Sequence, residues 1–259
     1  MTIRPLEGKI AIITGASRLN GIGAATCLQL AEKGADIFFT TWGTYDKQMH
    51  DGNYQSDPDL LVEKLRNFGV QVGCKEINLA DPNQIPDLFN LIEQKLGSPS
   101  ILVNNACFSQ NHTWEETTSE MLDKHYAINL RATTLLSVEF AKRFQGSKGS
   151  IIHLTSGQSK GPMTGELAYA ATKGAIEALT VTMAAELGSK GITVNAVNPG
   201  PTDTGWMTED LQKVLLPKFS LGRIGKPEDA ARLITFLASP EAEWITGQVI
   251  HSEGGFLRQ

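Results

Sequence analysis

Cysteine is scarce. Cys27, Cys74 and Cys107 are the whole complement in 259 residues, and their spacing matches no metal-ligand pattern. An odd set allows at most one disulfide and leaves a thiol over, as is usual in a reducing compartment, so the expected address is the cytoplasm. Long apolar runs are missing as well. Ile10–Ile13 and Ile37–Phe39 fall far short of the roughly 18 to 20 residues that a membrane-crossing helix needs. The opening Met1-Thr2-Ile3-Arg4-Pro5-Leu6-Glu7-Gly8-Lys9 carries charges where an export signal needs its apolar core. Neither sign of charge dominates: 23 basic against 28 acidic residues leave a net charge of −5, which sets up no general field for nucleic acid or an anionic membrane. The histidines, His50, His112, His125, His153 and His251, share no ligand spacing, and no metal is expected.

What is present is the composition of a soluble globular protein somewhat rich in turns: 41% hydrophobic, 20% charged, and 25 glycines. No Pro/Gly/Ser-rich linker and no internal repeat divides the chain, so residues 1–259 are expected to form one domain. Short β-rich runs at Lys9–Ile13, Asp36–Thr40, Val70–Cys74, Ser100–Val103, Ser150–Leu154, Ile192–Val197 and Gln248–His251 read as seven strands. Helical spacing lies between them at Gly21–Lys33, Asp59–Phe68, Asn83–Leu96, Ser119–Phe144, Leu167–Leu187 and Glu228–Ala238, with Asp57-Pro58, Asp81-Pro82 and Ser239-Pro240 as opening signals. Strand-helix alternation predicts a doubly wound, seven-stranded parallel sheet flanked by helices, a Rossmann fold whose ligands bind beyond the carboxyl ends of the strands. The polar and aromatic stretch Thr41–Ser56 has no clear period and reads as a long loop.

Chemistry should therefore follow the strands. After the first comes Thr14-Gly15-Ala16-Ser17-Arg18-Leu19-Asn20-Gly21-Ile22-Gly23, a glycine-rich turn feeding a helix whose free N–H groups and partial positive charge suit a diphosphate. Ser156 ends the run Ile151-Ile152-His153-Leu154-Thr155, which puts a hydroxyl where such sheets bind ligands. Tyr169 and Lys173 lie four apart in a helical stretch, so both project from one face about 6 Å apart in rise and can meet one ligand. An ammonium beside a phenol favours phenolate and draws the Tyr pKa down from about 10, which makes Tyr169 a candidate proton donor and acceptor.

With Asn104-Asn105-Ala106, Asn129 and Pro199-Gly200-Pro201-Thr202-Asp203-Thr204, these motifs fall in an order and spacing that resemble the short-chain dehydrogenase/reductase family over nearly the whole chain. The segment Thr246–Gly255 looks like that family's last strand and turn, with Glu253 where Asp is usual. The resemblance implies Tyr169 as general acid/base, Lys173 lowering its pKa and holding the nicotinamide ribose, Ser156 orienting the substrate oxygen, and Asn129 fixing a relay water. It implies that Gly15, Ser17, Arg18, Gly21, Ile22 and Gly23 cradle the diphosphate and adenosine ribose, and that Asn78 and Leu79 line the adenine. Asn105 and Ala106 would lie near the nicotinamide ribose, and Pro199, Gly200, Thr202 and Thr204 at the nicotinamide end.

Departures from the pattern carry information. Leu19 and Asn20 lengthen the phosphate loop, and Cys107 stands where a glycine is usual, read here as packing. Thr41 takes the place of the acid that would accept from the ribose 2′-OH, and Arg18 lies in the phosphate loop, so NADP(H) is favoured, with NAD(H) the alternative. The apolar stripe after Thr204, from Gly205 to Pro217, occupies the place of a substrate lid. The subgroup most resembled is the 3-oxoacyl-[acyl-carrier-protein] reductases, for whose acidic carrier Lys142, Arg143, Lys148 and Lys190 are candidate contacts. A sugar or steroid-like alcohol dehydrogenase is the alternative, and a non-catalytic dinucleotide sensor would lack catalytic residues that this chain has. The substrate is expected to be a small carbonyl or alcohol, free or carried as an acyl thioester. By the resemblance the assembly is a homotetramer.

Overall fold

A computed structural model describes residues 4–49 and 58–258. Seven strands, β1 (Ile10–Ile13), β2 (Asp36–Thr41), β3 (Val72–Glu76), β4 (Ile101–Asn104), β5 (Gly149–Leu154), β6 (Ile192–Asn198) and β7 (Val249–His251), form one sheet in the order β3-β2-β1-β4-β5-β6-β7. Every pairing is parallel. The order reverses between β1 and β4, so the crevice beyond their carboxyl ends is where such a sheet takes a ligand.

The helices are α1 (Ile22–Glu32), α2 (Gly43–Met49), α3 (Pro58–Arg66), α4 (Gln84–Lys95), α5 (Ser119–His125), α6 (Thr133–Arg143), α7 (Leu167–Leu187), α8 (Glu209–Leu215) and α9 (Pro227–Leu237). They cover both faces of the sheet, and the period of two along β1 shows it. Ala11 and Ile13 pack with Leu30, Leu65 and Ile234 on one face, whereas Ile12 packs with Phe38, Phe89 and Phe140 on the other. All four residues of β1 are buried, as both-sided coverage demands. Truncating one of these phenylalanines removes an entire buried ring, a loss of about 3–5 kcal/mol.

Several elements differ from the sequence reading. The ladder of β3 begins at Val72 rather than Val70, because Gly69 turns the chain at φ 76° and the Asp36 carboxylate takes the Gln71 N–H at 2.7 Å before pairing starts at Ile37 and Val72. The expected helix over 119–144 is interrupted: a π-helical stretch, Tyr126–Ala132, joins α5 to α6. Part of the presumed loop after β2 is helical as α2, while residues 50–56 of that segment, and Asp57 of the predicted cap, lie outside the described residues. Ser239-Pro240 opens only a 3-10 turn, Pro240–Ala242. The stripe after Thr204 gives α8, which has no buried residue, and runs into a 3-10 turn, Leu216–Lys218; Met207 is buried, and Trp206, Val214 and Leu216 stand exposed. Short polar side chains start several helices. Thr118 and Thr208 accept from Met121 and Leu211 N–H at 3.3 Å each, and Asp229 accepts from Lys226 N–H at 2.9 Å behind Pro227.

Candidate active site

The turn after β1 is built by close backbone approach. Gly15 sits at φ 72°, and a Cβ there would come within 2.7 Å of Ala106 Cα. A Cβ on Gly23 would lie 2.6 Å from the Gly15 carbonyl and 2.8 Å from the Asn105 amide nitrogen. That amide donates to the Thr14 and Gly15 carbonyls at 2.8 and 2.9 Å, so Asn105 and Ala106 hold the glycine loop against the end of β4. Gly21 caps α1 without a side-chain hydrogen bond, and no acid occupies the first turn. The amide edge of the helix is thus left for an external anion. A dinucleotide's diphosphate fits this donor set.

Around that loop the adenosine side is assembled from β2 and β3. The Ser17 hydroxyl accepts from Trp42 N–H at 3.1 Å, and Thr41 is buried with its carbonyl taking Ile77 N–H at 3.0 Å. Asn78 closes an Asx turn on Ala80 N–H at 3.0 Å, and Leu79 is buried in the core. Arg18 donates to the Thr204 carbonyl at 3.2 Å and lies 3.7 Å from the Asp46 carboxylate on α2. Pro199, Gly200 and Thr202 form the turn after β6, with the Thr202 hydroxyl donating back to the Pro199 and Gly200 carbonyls at 3.2 and 3.3 Å. Thr41 is no acid, but Asp46 is one that the sequence pattern does not place beside Arg18.

The remaining polar set meets beyond β5. The Ser156 hydroxyl lies beside the Tyr169 phenol and acts to lower its pKa. Lys173, one turn along α7, is buried; its Nζ donates to the Leu154 carbonyl at 2.7 Å and stands 5.5 Å from the Tyr169 ring centroid. Asn129, in the π-helical stretch, does not touch either of them. Its Oδ1 accepts from Phe108 N–H at 2.7 Å, and its Nδ2 donates to the Phe108 carbonyl at 2.9 Å and the Thr172 hydroxyl at 3.1 Å. The side chain therefore pins the loop after β4 to α7, next to Lys173.

Electrostatics here differ from the expected lowering of the Tyr169 pKa. Burial pushes that phenol well above its ordinary value, the neighbouring Cys107 adds to the rise, and only the Ser156 hydroxyl opposes them. Burial also lowers Lys173, with Cys107 opposing. With its ammonium committed to Leu154, the lysine leaves the phenol protonated. Cys107 is half-buried and free, and it lies beside this set. Tyr45 of α2 reaches the same place: its hydroxyl accepts from Ser109 N–H at 3.2 Å, and its ring is 5.6 Å from Phe108. Burial, then Cys107, raises its pKa too.

Two supports are absent from the sequence reading. Glu177 accepts from Gln158 Nε2 at 2.6 Å, Ser159 Oγ at 3.2 Å and Thr155 Oγ1 at 3.3 Å, holding the Ser156 loop on α7. Its signal was the spacing of Tyr169, Lys173 and Glu177 at i, i+4 and i+8 on one helix face. Thr172, which joins Asn129 to α7, had no such signal. Three of the four basic candidates for a carrier are engaged elsewhere, and Lys142 is exposed. Arg143 pairs with Glu93 and Glu139 at 3.0 and 2.6 Å, Lys148 with Glu243 at 3.0 Å, and Lys190 donates to the Ala141 carbonyl at 3.3 Å. Lys148 directly precedes β5 and Lys190 lies two residues before β6, at the strand ends opposite Ser156.

No described helix is long and apolar enough to cross a membrane. Residues 15–257 match a family model described as enoyl-(acyl carrier protein) reductase. An uncharacterized oxidoreductase, YjdA of Bacillus subtilis (strain 168), is 51% identical over 255 residues, covering 97% of this chain and 98% of that protein. A short-chain dehydrogenase/reductase from Serratia marcescens superposes with a TM-score of 0.85 at 33% identity, over 97% of this chain and 99% of that one. A blue fluorescent protein from a metagenomic library, solved in complex with NADPH, gives 0.85 at 32% identity over 97% and 99%. Sheet order, glycine loop and these likenesses converge: the chain belongs to the short-chain dehydrogenase/reductase family of NAD(P)-dependent oxidoreductases.

Proposed function

We propose that the protein interconverts a small-molecule carbonyl and its secondary alcohol with NADP(H). The observation that carries this reading is the meeting of the Ser156 and Tyr169 hydroxyls beyond β5, with Lys173 one turn away and a glycine loop alongside that suits a diphosphate. Reduced nicotinamide, when bound, supplies a hydride to the carbonyl carbon. Negative charge then grows on the oxygen; Ser156 holds that atom and Tyr169 delivers its proton there. A phenol kept protonated by burial is ready for reduction. In the oxidative direction the Lys173 ammonium has to turn from Leu154 towards the phenol and the ribose. Asn129 fixes the geometry of the loop and α7 around them, in addition to any water that its free lone pair on Oδ1 holds.

Arg18 is the candidate partner of a 2′-phosphate, which competes with Asp46 for it. The NADPH complex of the metagenomic relative supports this preference. A 3-oxoacyl thioester is the finer substrate candidate, supported by the resemblance and by the carrier named in the family model, with a free ketone or aldehyde as the broader class. The same reading expects a cytoplasmic homo-oligomer, and Leu122, Tyr126 and Val181 offer exposed apolar surface on α5, the π-helical stretch and α7. Absorbance at the nicotinamide band, followed with NADPH and NADH against carbonyls including acetoacetyl thioesters, is the direct assay. Tyr169→Phe should bind NADPH and lose roughly a hundredfold or more in turnover; full turnover would remove the assigned proton donor. Arg18→Glu should weaken NADPH far more than NADH, and equal losses would discard the 2′-phosphate assignment.

A further inference from the structure

The chain's last described residue lies inside the site. Arg258 reaches back so that its guanidinium fills the space a Cβ on Gly157 would need, 2.1 Å away, and its stem lies 3.3 Å from the corresponding point on Gly161. Gly157 follows Ser156 directly, and any side chain there would expel the arginine. The guanidinium forks onto Glu253, Nη1 to Oε1 at 3.0 Å and Nη2 to Oε2 at 2.5 Å, with the two side chains only 14% and 11% exposed. Burial by itself would raise the Glu253 pKa; the Arg258 hydrogen bonds and charge, with the Asn198 amide, outweigh it and hold the group below its ordinary value. Glu253 also accepts from Asn198 Nδ2 at 2.8 Å, and its Cβ lies 2.4 Å from where a Gly200 side chain would begin. The segment between them is tied to the stretch that follows α8: Leu257 N–H donates to the Lys218 carbonyl at 2.9 Å, and Phe256 packs on Phe219 with ring centroids 4.9 Å apart.

One ion pair thus touches the serine loop, the turn at Pro199-Gly200 and, through its own segment, the stretch that follows α8. Glu253, with one methylene more than the aspartate usual there, has the reach for this fork. We propose that Arg258, locked by Glu253, is a positioning residue that sets the Ser156 hydroxyl relative to the nicotinamide-end turn. The proposal rests on the reading in which Ser156 holds the substrate oxygen. It assigns Arg258 no contact with substrate. Lysine at 258 keeps the charge but not the fork, and methionine keeps the stem alone.

The test compares full-length Arg258→Met, Arg258→Lys and Glu253→Gln with the parent. Amide hydrogen exchange of the segment 156–165 should rise about tenfold or more in Arg258→Met while β1 and β4 are unchanged. With acetoacetyl-CoA and NADPH, kcat should fall about tenfold with the NADPH dissociation constant within about twofold, and Arg258→Lys should recover part of the loss. Unaltered exchange in 156–165, or a lower melting temperature with kcat intact, would overturn the proposal. If Arg258→Met does not fold, Glu253→Gln carries both readouts. A parent protein that turns over no carbonyl would refute the functional reading, while the exchange arm still decides whether Arg258 holds the loop.

Discussion

His153 shows how a residue under the site can govern the stability of the molecule. It lies fully buried in β5, its ring nitrogens 3.2 Å from Ser137 Oγ and 2.9 Å from Thr180 Oγ1. Burial, with the Lys173 charge adding to it, pushes its pKa down from 6.5 to about 3. The unfolded chain binds this proton first, so the stability that neutral His153 supports is complete above pH 6.5 and is lost as pH falls towards 3. The slope contributed is about 1.4 kcal/mol per pH unit within that window. His153→Gln should flatten that limb in urea midpoints measured against pH, and an unchanged limb would place the titration elsewhere. In the sequence His153 is only one letter of an apolar strand; nothing in the pattern says that it is cut off from water. Ser156, Tyr169 and Lys173 were legible because chemistry restricts the residue types at those spacings. The direction of the Tyr169 shift was not, because it depends on burial and on where an ammonium points.

Helical period alone makes 119–144 one helix, and the register shift over Tyr126–Ala132 is the work of contacts made at a distance. The π-helical turn carries Asn129 inward, where it satisfies both backbone groups of Phe108. Asn129→Ala leaves those groups unpaired beside a buried hydroxyl, so unfolding free energy from urea titration should fall by about 2–3 kcal/mol, with turnover falling as well. A loss below about half a kilocalorie per mole would show that water replaces the amide. The same limit explains α2. Seven residues are too few for a period to declare itself, and Asp46 and Tyr45 find Arg18 and Ser109 only after β1 and β4 are side by side. In α8 no residue is buried, because no neighbouring element of the chain covers it.

At the scale of the molecule, one parallel sheet links every described element, and we propose that residues 1–259 unfold as a unit. Calorimetry should show a single transition, and two resolved transitions would divide the chain. Alternation of strand and helix, the glycine loop and the Tyr169–Lys173 spacing were written in the sequence, because backbone geometry and bond chemistry tie each to a short stretch of residue types. The first of these gave the expected sheet, and together with Asn104-Asn105-Ala106, Asn129, Ser156 and the run Pro199–Thr204 they carried the resemblance to the family. Which groups meet was decided only by tertiary structure: Arg18 with Asp46, the Arg258 guanidinium with the glycines of the serine loop, Glu177 behind that loop. Such pairs join segments from β1, α2, β5, α7 and the C-terminal turn, and no local pattern encodes a contact whose partners become neighbours only when the sheet has formed.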